Sequence, residues 1–454
     1  MPSADVVVVG AGLAGLSAAI ALAEAGATVQ VLAAGHAATH WASGGLDVAG
    51  PPGSPTARAG LRALATIGAH PYAIVGDAVE PGLTWLRTTL EREGLTYVGD
   101  LDAPLRTVPS AIGGTRRVAI LPAGQGAALQ PWSAGETLTV CGIAGFKDFW
   151  PDAIAATLRR PAVWGDATSP STVRAVTVEL PGLTGLRNLD ALELARRFDE
   201  PRWRERALDA IARALDADRA RRELGAVAGR VALPAVLGLD DHRAVLEAAR
   251  ARLPLEPFEV PLVPPSIPGM RLYRALRAAL RRHGGRIQVG EPVLRVELAG
   301  GRVSAVVSSA AVRELRIRTD ALVLATGGIA GGGLVATADG RLVEPLLGLP
   351  VEAPAVADWL AADPFDPAGH PLEAAGVRVD RELRPIAAPG GAPVFDNVRI
   401  VGSLLAGQRY LRERCGDGVA LSSGWLAARS IRGIAVAAVA AVAAVPAGTD
   451  EDGT

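Results

Sequence analysis

Residues 6–36 read VVVVGAGLAGLSAAIALAEAGATVQVLAAGH, and this stretch decides the fold. Four valines lead into Gly10, Gly12 and Gly15, which have the GxGxxG spacing. A helical pattern of alanine and leucine follows, and a second apolar run starts at Val29. A strand, a glycine turn, a helix and a strand in this order are typical of a βαβ unit that holds a phosphate at the helix N-terminus. The glycines alone also fit an ordinary βαβ turn, so the placement between a strand and a helix carries the interpretation.

The end of the second strand lacks a side chain that this kind of unit usually has. A dinucleotide site normally places an acid there, on the adenosine ribose. Here the run ends on Ala33 and Ala34, and the first acid after Gln30 is Asp47. The sequence therefore predicts either a nucleotide without adenosine or a dinucleotide held by backbone contacts alone.

Composition narrows the class of protein. The 454 residues are 49% hydrophobic, with 46 basic and 47 acidic side chains and a net charge of -1. This balance gives no reason to expect nucleic acid or an anionic membrane surface as a partner. The length fits two or three domains, or one large domain with an insertion. We expect a cytoplasmic protein, since no signal peptide precedes the valines and the apolar run 434–445 is short for a membrane span.

The chain has two cysteines, Cys141 and Cys415, without metal-binding spacing. Because iron–sulfur clusters need about four cysteine ligands, we expect none in this chain. His36 and His40 have no partner visible in the sequence and are interpreted as loop histidines. We expect no metal site and no Ser/His/Asp constellation.

Two further glycine turns follow apolar strands or precede a helix. Thr326-Gly327-Gly328 comes directly after the strand predicted at 321–325, and Gly416-Asp417-Gly418 precedes a helix predicted from about residue 419 to 431. Each has an ordinary alternative, because the first fits a strand-end turn and Asp417 could simply cap the helix. A helix N-terminus at 416–418 would also suit the carbonyl of a flavin pyrimidine, where negative charge develops on reduction.

The rest of the chain gives a coarser pattern. We predict helices at 82–93, 187–224 (interrupted at Pro201) and from Pro268 to about Leu280, and a strand at 137–143. Short strands or loops are expected at 231–234 and 259–268. The Gly300-Gly301 turn predicts a hairpin of strands 292–298 and 302–308. We predict an α/β fold in which a discontinuous Rossmann-like flavin-binding domain (1–75 and 266–454) carries an inserted α+β domain (76–265).

Several segments together resemble the B subunits of the anaerobic glycerol-3-phosphate dehydrogenase family, over nearly the full chain. The broader similarity is to flavoproteins of the fumarate reductase and succinate dehydrogenase type. Some of those attach FAD through a histidine six residues before a Gly-Gly pair, but Ala38 stands there before Gly44, so a non-covalent flavin is expected. The segments that carry the resemblance are 9–16 (VGAGLAGL), 40–47 (HWASGGLD), 142–149 (GIAGFKDF), 265–272 (PSIPGMRL), 332–335 (GGLV), 344–349 (EPLLGL) and 415–419 (CGDGV).

The resemblance implies a flavin cofactor and partner subunits. FMN is the predicted flavin, since the family is described as FMN-binding and a terminal phosphate suits the helix after Gly12; FAD is the alternative. It also implies a dehydrogenase A subunit and an iron–sulfur C subunit that docks the assembly on the inner membrane. No catalytic residue is assigned. The predicted flavin contacts are Gly10, Gly12, Leu13, Ala14, Gly15, Ser43, Gly44, Gly45, Thr326, Gly327, Gly328, Gly402, Gly416, Asp417 and Gly418.

The sequence leaves three functions open. The first is a flavoprotein subunit of a respiratory enzyme that oxidises sn-glycerol 3-phosphate to dihydroxyacetone phosphate and passes electrons towards quinone. The second is a free-standing flavin oxidoreductase that acts on another small hydroxy or enoate substrate. The third is a non-catalytic relay or structural subunit.

Overall fold

The computed structural model describes residues 2–48, 50–165, 168–221, 228–310 and 313–431. The helices are α1 (Leu13–Glu24), α2 (Ala38–Trp41), α3 (Ala57–Ala65), α4 (Tyr72–Val75), α5 (Val79–Arg92), α6 (Pro151–Leu158), α7 (Ala191–Asp199), α8 (Pro201–Arg221), α9 (His242–Arg252), α10 (Ile267–Arg282), α11 (Tyr410–Glu413) and α12 (Gly416–Ser430). The strands are β1 (Ser3–Val9), β2 (Val29–Ala33), β3 (Tyr97–Gly99), β4 (Arg106–Pro109), β5 (Thr115–Val118), β6 (Ile120–Pro122), β7 (Thr137–Ile143), β8 (Thr172–Val178), β9 (Gly229–Pro234), β10 (Glu256–Val260), β11 (Arg286–Val289), β12 (Val293–Ala299), β13 (Arg302–Ala310), β14 (Arg313–Leu324), β15 (Val335–Ala336), β16 (Leu342–Val343), β17 (Val351–Glu352), β18 (Gly376–Val377) and β19 (Val398–Ile400).

The larger sheet has the order β11-β2-β1-β14-β13-β12, and β19 also pairs with β14. Strands β11, β2, β1, β14 and β19 run parallel, while β12 and β13 form the antiparallel hairpin predicted around Gly300-Gly301. Strands buried on both faces read as continuous apolar runs, which explains the valines of β1. Helices α1, α10 and α12 lie against this sheet and share its hydrophobic core.

The chain changes direction within this sheet between β1 and β14. From β1 it continues to β2 and β11 on one side, and it returns on the other side through β14 and β19. In open α/β sheets, ligands bind at the carboxyl ends of the strands where the strand order reverses. The turns after β1 and β14, which begin with Gly10 and Thr326, therefore flank the expected binding crevice.

The inserted region has its own sheet, with the order β10-β9-β7-β8 and all strands parallel. The expected α+β region thus contains a parallel sheet, accompanied by the antiparallel pairs β3–β6 and β4–β5. Its hydrophobic core extends from Val108 to Met270, whereas Val79 to Leu105 pack with the first core. We therefore propose that the inserted region begins near residue 106 rather than at residue 76, and that it ends close to the predicted boundary at 265.

Most predicted elements are present, with small shifts of their ends. The strand predicted at 137–143 is β7, and the helix predicted at 82–93 is α5. Within the region predicted as helical, 187–224, residues 191–221 form two helices, α7 and α8, that meet at Glu200 and Pro201, and residues 222–224 lie outside the described residues. The apolar run 434–445 and the tail 449–454 lie outside the described residues. Within the described residues, no helix combines the length and the apolar character that crossing a membrane requires.

Candidate functional site

In the turn after β1, close backbone packing requires glycine at the first and third positions of the motif, Gly10 and Gly15. Gly10 has a φ of 111°, and a Cβ there would lie 2.1 Å from the carbonyl oxygen of Ala325. A Cβ on Gly15 would lie 2.1 Å from the carbonyl oxygen of Gly10. Side chains at these positions would force β1, β14 and α1 apart. These two glycines therefore bring the helix and the strands close together.

Gly12 differs, because the protein itself leaves room for a side chain there. An added Cβ would meet only the Ala37 Cβ at 3.5 Å and the Thr39 Oγ1 at 3.8 Å, which are ordinary contacts. Gly12 precedes the first residue of α1, where backbone N–H groups suit a phosphate. The Leu13 N–H donates to Thr39 Oγ1 at 2.9 Å. Because the protein would accept a Cβ here, a phosphate group at the helix N-terminus explains glycine at position 12 better than packing does.

The loop after β2 lies between the two domains. The Arg116 guanidinium donates to Ser43 Oγ at 2.8 Å, and the Gln125 amide donates to the Ser43 carbonyl at 2.8 Å. The Tyr97 hydroxyl donates to the Gly44 carbonyl at 2.5 Å. Gly44 has a φ of 85°, and a Cβ there would lie 2.6 Å from Pro268 Cβ. Arg116 and Gln125 of the inserted region, together with Tyr97 and Pro268 outside it, thus fix the backbone of the segment 43–45.

The same loop reaches the N-terminus of α12. Asp417 Oδ2 accepts a hydrogen bond of 2.8 Å from the Asp47 N–H, and the Gly418 N–H donates to the Asp47 carbonyl at 3.2 Å. Asp47 also pairs with Arg116 at 3.1 Å. Burial, followed by the Asp47 charge, raises the pKa of Asp417 to about 7. Thr39 and Asp47 thus connect the N-termini of α1 and α12, the two ends between which an elongated ligand could lie.

The turn after β14 completes this arrangement. Gly327 has a φ of 81°, and a Cβ on Gly333 would lie 1.8 Å from its carbonyl oxygen. The buried Oγ1 of Thr326 has no hydrogen-bond partner among the described residues. Gly402 packs on α1, since a Cβ there would lie 2.8 Å from Ala14 Cβ. The structure therefore brings the predicted residues of five separate segments to one edge of the sheet; their roles as flavin contacts stay predictions.

Sequence reasoning missed several residues of this site. Thr39, Asp47, Tyr97, Arg116 and Gln125 all contact the predicted segments. Asp47 belongs to the segment 40–47, which carries the resemblance, and Thr39 directly precedes that segment. Both residues could therefore have been considered as site residues from the sequence. Tyr97, Arg116 and Gln125 come from distant segments without a recognisable spacing, so no sequence signal identifies them.

A group of possible metal ligands lies at the start of α12. His70, Glu413 and Cys415 offer ligand atoms that are all within 4.8 Å of one another. The Tyr72 N–H donates to His70 Nδ1 at 3.0 Å, so the ring proton is on Nε2, which lies 3.2 Å from Glu413 Oε2. A protonated Nε2 has no lone pair for a metal. We interpret the three residues as a hydrogen-bonded cluster that supports the start of α12.

The carboxyl edge of the inserted sheet is occupied by the chain's own carboxylates. Its order also reverses, between β7 and β9, which marks a second crevice. There Glu259 forms a two-point ion pair with Arg271 at 2.6 and 2.9 Å and accepts the Leu237 N–H at 2.8 Å. Asp199 accepts the N–H groups of residues 239–241. These carboxylates fill the positions that a bound anion would take.

Together, the α/β fold and the three glycine turns at one edge of the larger sheet fit a flavin-binding oxidoreductase. Residues 5–419 match the FAD binding domain family. The chain is also similar to the anaerobic glycerol-3-phosphate dehydrogenase B subunit of Yersinia enterocolitica, with 34% identity over 94% of this chain and 97% of that protein. It therefore belongs to the family of these B subunits within the FAD-binding flavoproteins.

Two further comparisons concern a second relative and a solved structure. A probable B subunit of the same enzyme from Halobacterium salinarum is 33% identical over 93% of this chain and 96% of that protein. A solved 3-ketosteroid-delta4-(5alpha)-dehydrogenase from Rhodococcus jostii has 15% identity and a TM-score of 0.40 over 94% of this chain and 96% of that chain. The predicted family, fold class and flavin-dependent oxidoreductase activity are confirmed. FAD, the alternative cofactor, is the flavin that the matched family binds; the preference for FMN stays a prediction.

Proposed function

We propose that this chain is the flavoprotein subunit of a respiratory glycerol-3-phosphate dehydrogenase, which oxidises sn-glycerol 3-phosphate to dihydroxyacetone phosphate and sends electrons towards quinone. The open position at Gly12, within a chain related to B subunits over nearly its full length, carries the proposal. The names of the relatives support the substrate. Their designation as B subunits supports assembly with an A subunit and with an iron–sulfur C subunit that contacts the inner membrane.

The N-termini of α1 and α12 suit the two ends of a flavin. A bound flavin would accept two electrons, as a hydride, from C2 of the substrate. The N-terminus of α1 would hold phosphate, and Gly12 would leave space for it. The N-terminus of α12, with Gly416 and Gly418, would lie near the pyrimidine end and favour negative charge there. Arg116, which comes from the inserted region, orders the segment 43–45 by donating a hydrogen bond to Ser43 Oγ.

The two cysteines of the chain bear on which subunit carries the iron–sulfur clusters. Cys141 and Cys415 are both buried, and burial raises the pKa of each thiol. Because two cysteines cannot hold an iron–sulfur cluster alone, a cluster relay towards a membrane quinone would come from a partner subunit. We propose that the cytoplasmic chain reaches the membrane through its partner subunits.

The test compares the chain alone with the chain purified together with its A and C subunits. The complex should show anaerobic bleaching of the flavin absorbance by glycerol 3-phosphate and should reduce a quinone analogue. The chain alone should purify yellow and should not reduce the quinone analogue. Robust quinone reduction by the isolated chain would contradict the three-subunit assembly and support a free-standing oxidoreductase. If the chain purifies colourless, a structural role is supported instead.

A further inference from the structure

The neighbouring strand supplies an acid to the end of β2. Strand β11 pairs with β2 in parallel, and Val289 is the partner of Ala33. The chain then turns at Gly290, whose φ is 90°. The N–H groups of Gly290 and Glu291 both donate to the Ala33 carbonyl, at 2.9 and 3.1 Å. The backbone of Glu291 is therefore hydrogen-bonded to Ala33, at the strand end where a ribose-binding acid usually stands.

One carboxylate oxygen of Glu291, Oε2, is buried without a hydrogen-bond donor among the described residues. A carboxylate oxygen only accepts hydrogen bonds, and leaving it buried without a donor costs free energy. A ligand with hydroxyl groups at this position would provide the missing donors.

The position of Glu291 fits the adenosine part of a dinucleotide. The order β11-β2-β1 corresponds to the half of a dinucleotide fold over which adenosine lies. Neighbouring strands are about 4.8 Å apart, so the end of β11 lies about 10 Å across the sheet edge from the turn at residues 10–15. FMN ends at its phosphate and has no group that extends in this direction. FAD continues there with a ribose that carries two hydroxyl groups.

The other acid that sequence reasoning could offer is already used. Asp47 lies at the far end of the loop, where its carboxylate pairs with Arg116 and its backbone binds Asp417 and Gly418. The segment that follows Ala33 carries His36 and His40, whose rings stack at 4.4 Å. Neither histidine is an acid that could replace the missing carboxylate.

We propose that Glu291 binds the adenosine ribose hydroxyls of FAD and so selects FAD over FMN in this chain. This rests on the proposed flavoprotein function. The carboxylate comes from β11 in place of the acid that is absent from β2. A dinucleotide is thereby recognised without any acid between Gln30 and Asp47.

The experiment measures FAD and FMN binding to the flavin-free chain and to its Glu291→Ala variant. We expect the Kd for FAD to rise about ten- to a hundredfold in the variant, because a charged hydrogen bond is lost, while the Kd for FMN stays unchanged. Glu247→Ala, a matched change on the exposed face of α9, should leave both constants unchanged. Melting temperatures of the three proteins check that each is folded.

An FAD analogue without the adenosine 2′-hydroxyl completes a double-mutant cycle. It should bind the unaltered chain more weakly than FAD does, and Glu291→Ala should weaken its binding by less than it weakens FAD. Equal losses for FAD and FMN, additive effects of the variant and the analogue, or tighter binding of FMN than of FAD by the unaltered chain would overturn the proposal. Failure of the unaltered chain to bind either flavin would instead overturn the proposed function.

Discussion

At the scale of single residues, the three glycines of the first turn have different causes. Gly10 and Gly15 are required by atoms of the protein that lie 2.1 Å from their missing Cβ atoms, whereas a Cβ on Gly12 would make only ordinary contacts. Sequence reasoning assigned these roles from the motif because the GxGxxG spacing encodes both backbone packing and phosphate approach. It could not supply Glu291, because the pairing of β11 with β2 is a long-range contact that no local pattern reveals.

Gly12→Val separates the two kinds of glycine. We expect the variant to fold with an apo melting temperature close to that of the unaltered chain, because its Cβ meets the protein only at ordinary contact distances. It should purify almost without flavin, because the branched side chain takes the place of the phosphate. Flavin content is measured from absorbance, and the released flavin is identified by chromatography after denaturation. A variant with full flavin content would place the phosphate elsewhere.

Asp417 gives the apo protein a pH dependence. Its pKa is raised from 3.8 to about 7, firstly by burial and secondly by Asp47. The folded chain therefore holds a proton that the unfolded chain has released, so folding stability falls as pH rises from about 4 to about 7. Asp417→Asn keeps an acceptor for the Asp47 N–H and should lose less stability over this range. Urea unfolding of both apo proteins across the range measures the difference; parallel stability curves would contradict the raised pKa.

At the scale of elements, the positions of the α1 and α12 N-termini at the predicted flavin site depend on how α12 packs against α1. Gly424 faces α1, and a Cβ there would lie 2.2 Å from the Ala14 carbonyl oxygen. The sequence predicted α12 but began it at about 419, and it gave no sign of its partner. Local patterns show where a helix forms, whereas the facing helix is chosen by the whole fold.

Gly424→Ala should push the two helices apart. Overpacking of this kind costs about 1–3 kcal/mol, and the displaced N-termini of α1 and α12 should weaken flavin binding. Gly82→Ala in α5 is the matched control, since its Cβ would meet Leu421 at an ordinary 3.6 Å. Thermal unfolding and flavin content are measured for both variants. Equal behaviour of the two would show that the contact between α12 and α1 is not close in solution.

At the scale of the whole molecule, two hydrophobic cores meet at a buried polar junction. Glu259 and His242 come from the inserted region, and Arg271 lies on α10, which packs against α1. The charge pattern of the sequence places arginines and acids on many surfaces and does not show which of them are buried. The late apolar strand and glycine turn predicted a return of the chain to the first sheet, where β14 and β19 lie, but no sequence pattern predicted the junction.

His242 makes this junction sensitive to acid. Its Nδ1 is 2.7 Å from the Leu237 carbonyl, and burial lowers the histidine pKa from 6.5 to about 4 despite the nearby Glu259. The unfolded chain therefore binds a proton that the folded chain excludes, so stability is lost as pH falls from about 6.5 to about 4. The loss should reach about 3 kcal/mol at most, from the size of the pKa difference.

His242→Asn tests this origin of acid sensitivity. The asparagine amide can donate to Leu237 as the imidazole does, but it does not titrate in this range. The variant should therefore lose less unfolding free energy than the unaltered chain between neutral and acidic pH. His283→Asn on the end of α10, where the ring is partly exposed, should retain the full loss. If His242→Asn and His283→Asn show the same dependence in urea unfolding, the acid sensitivity arises outside the domain junction.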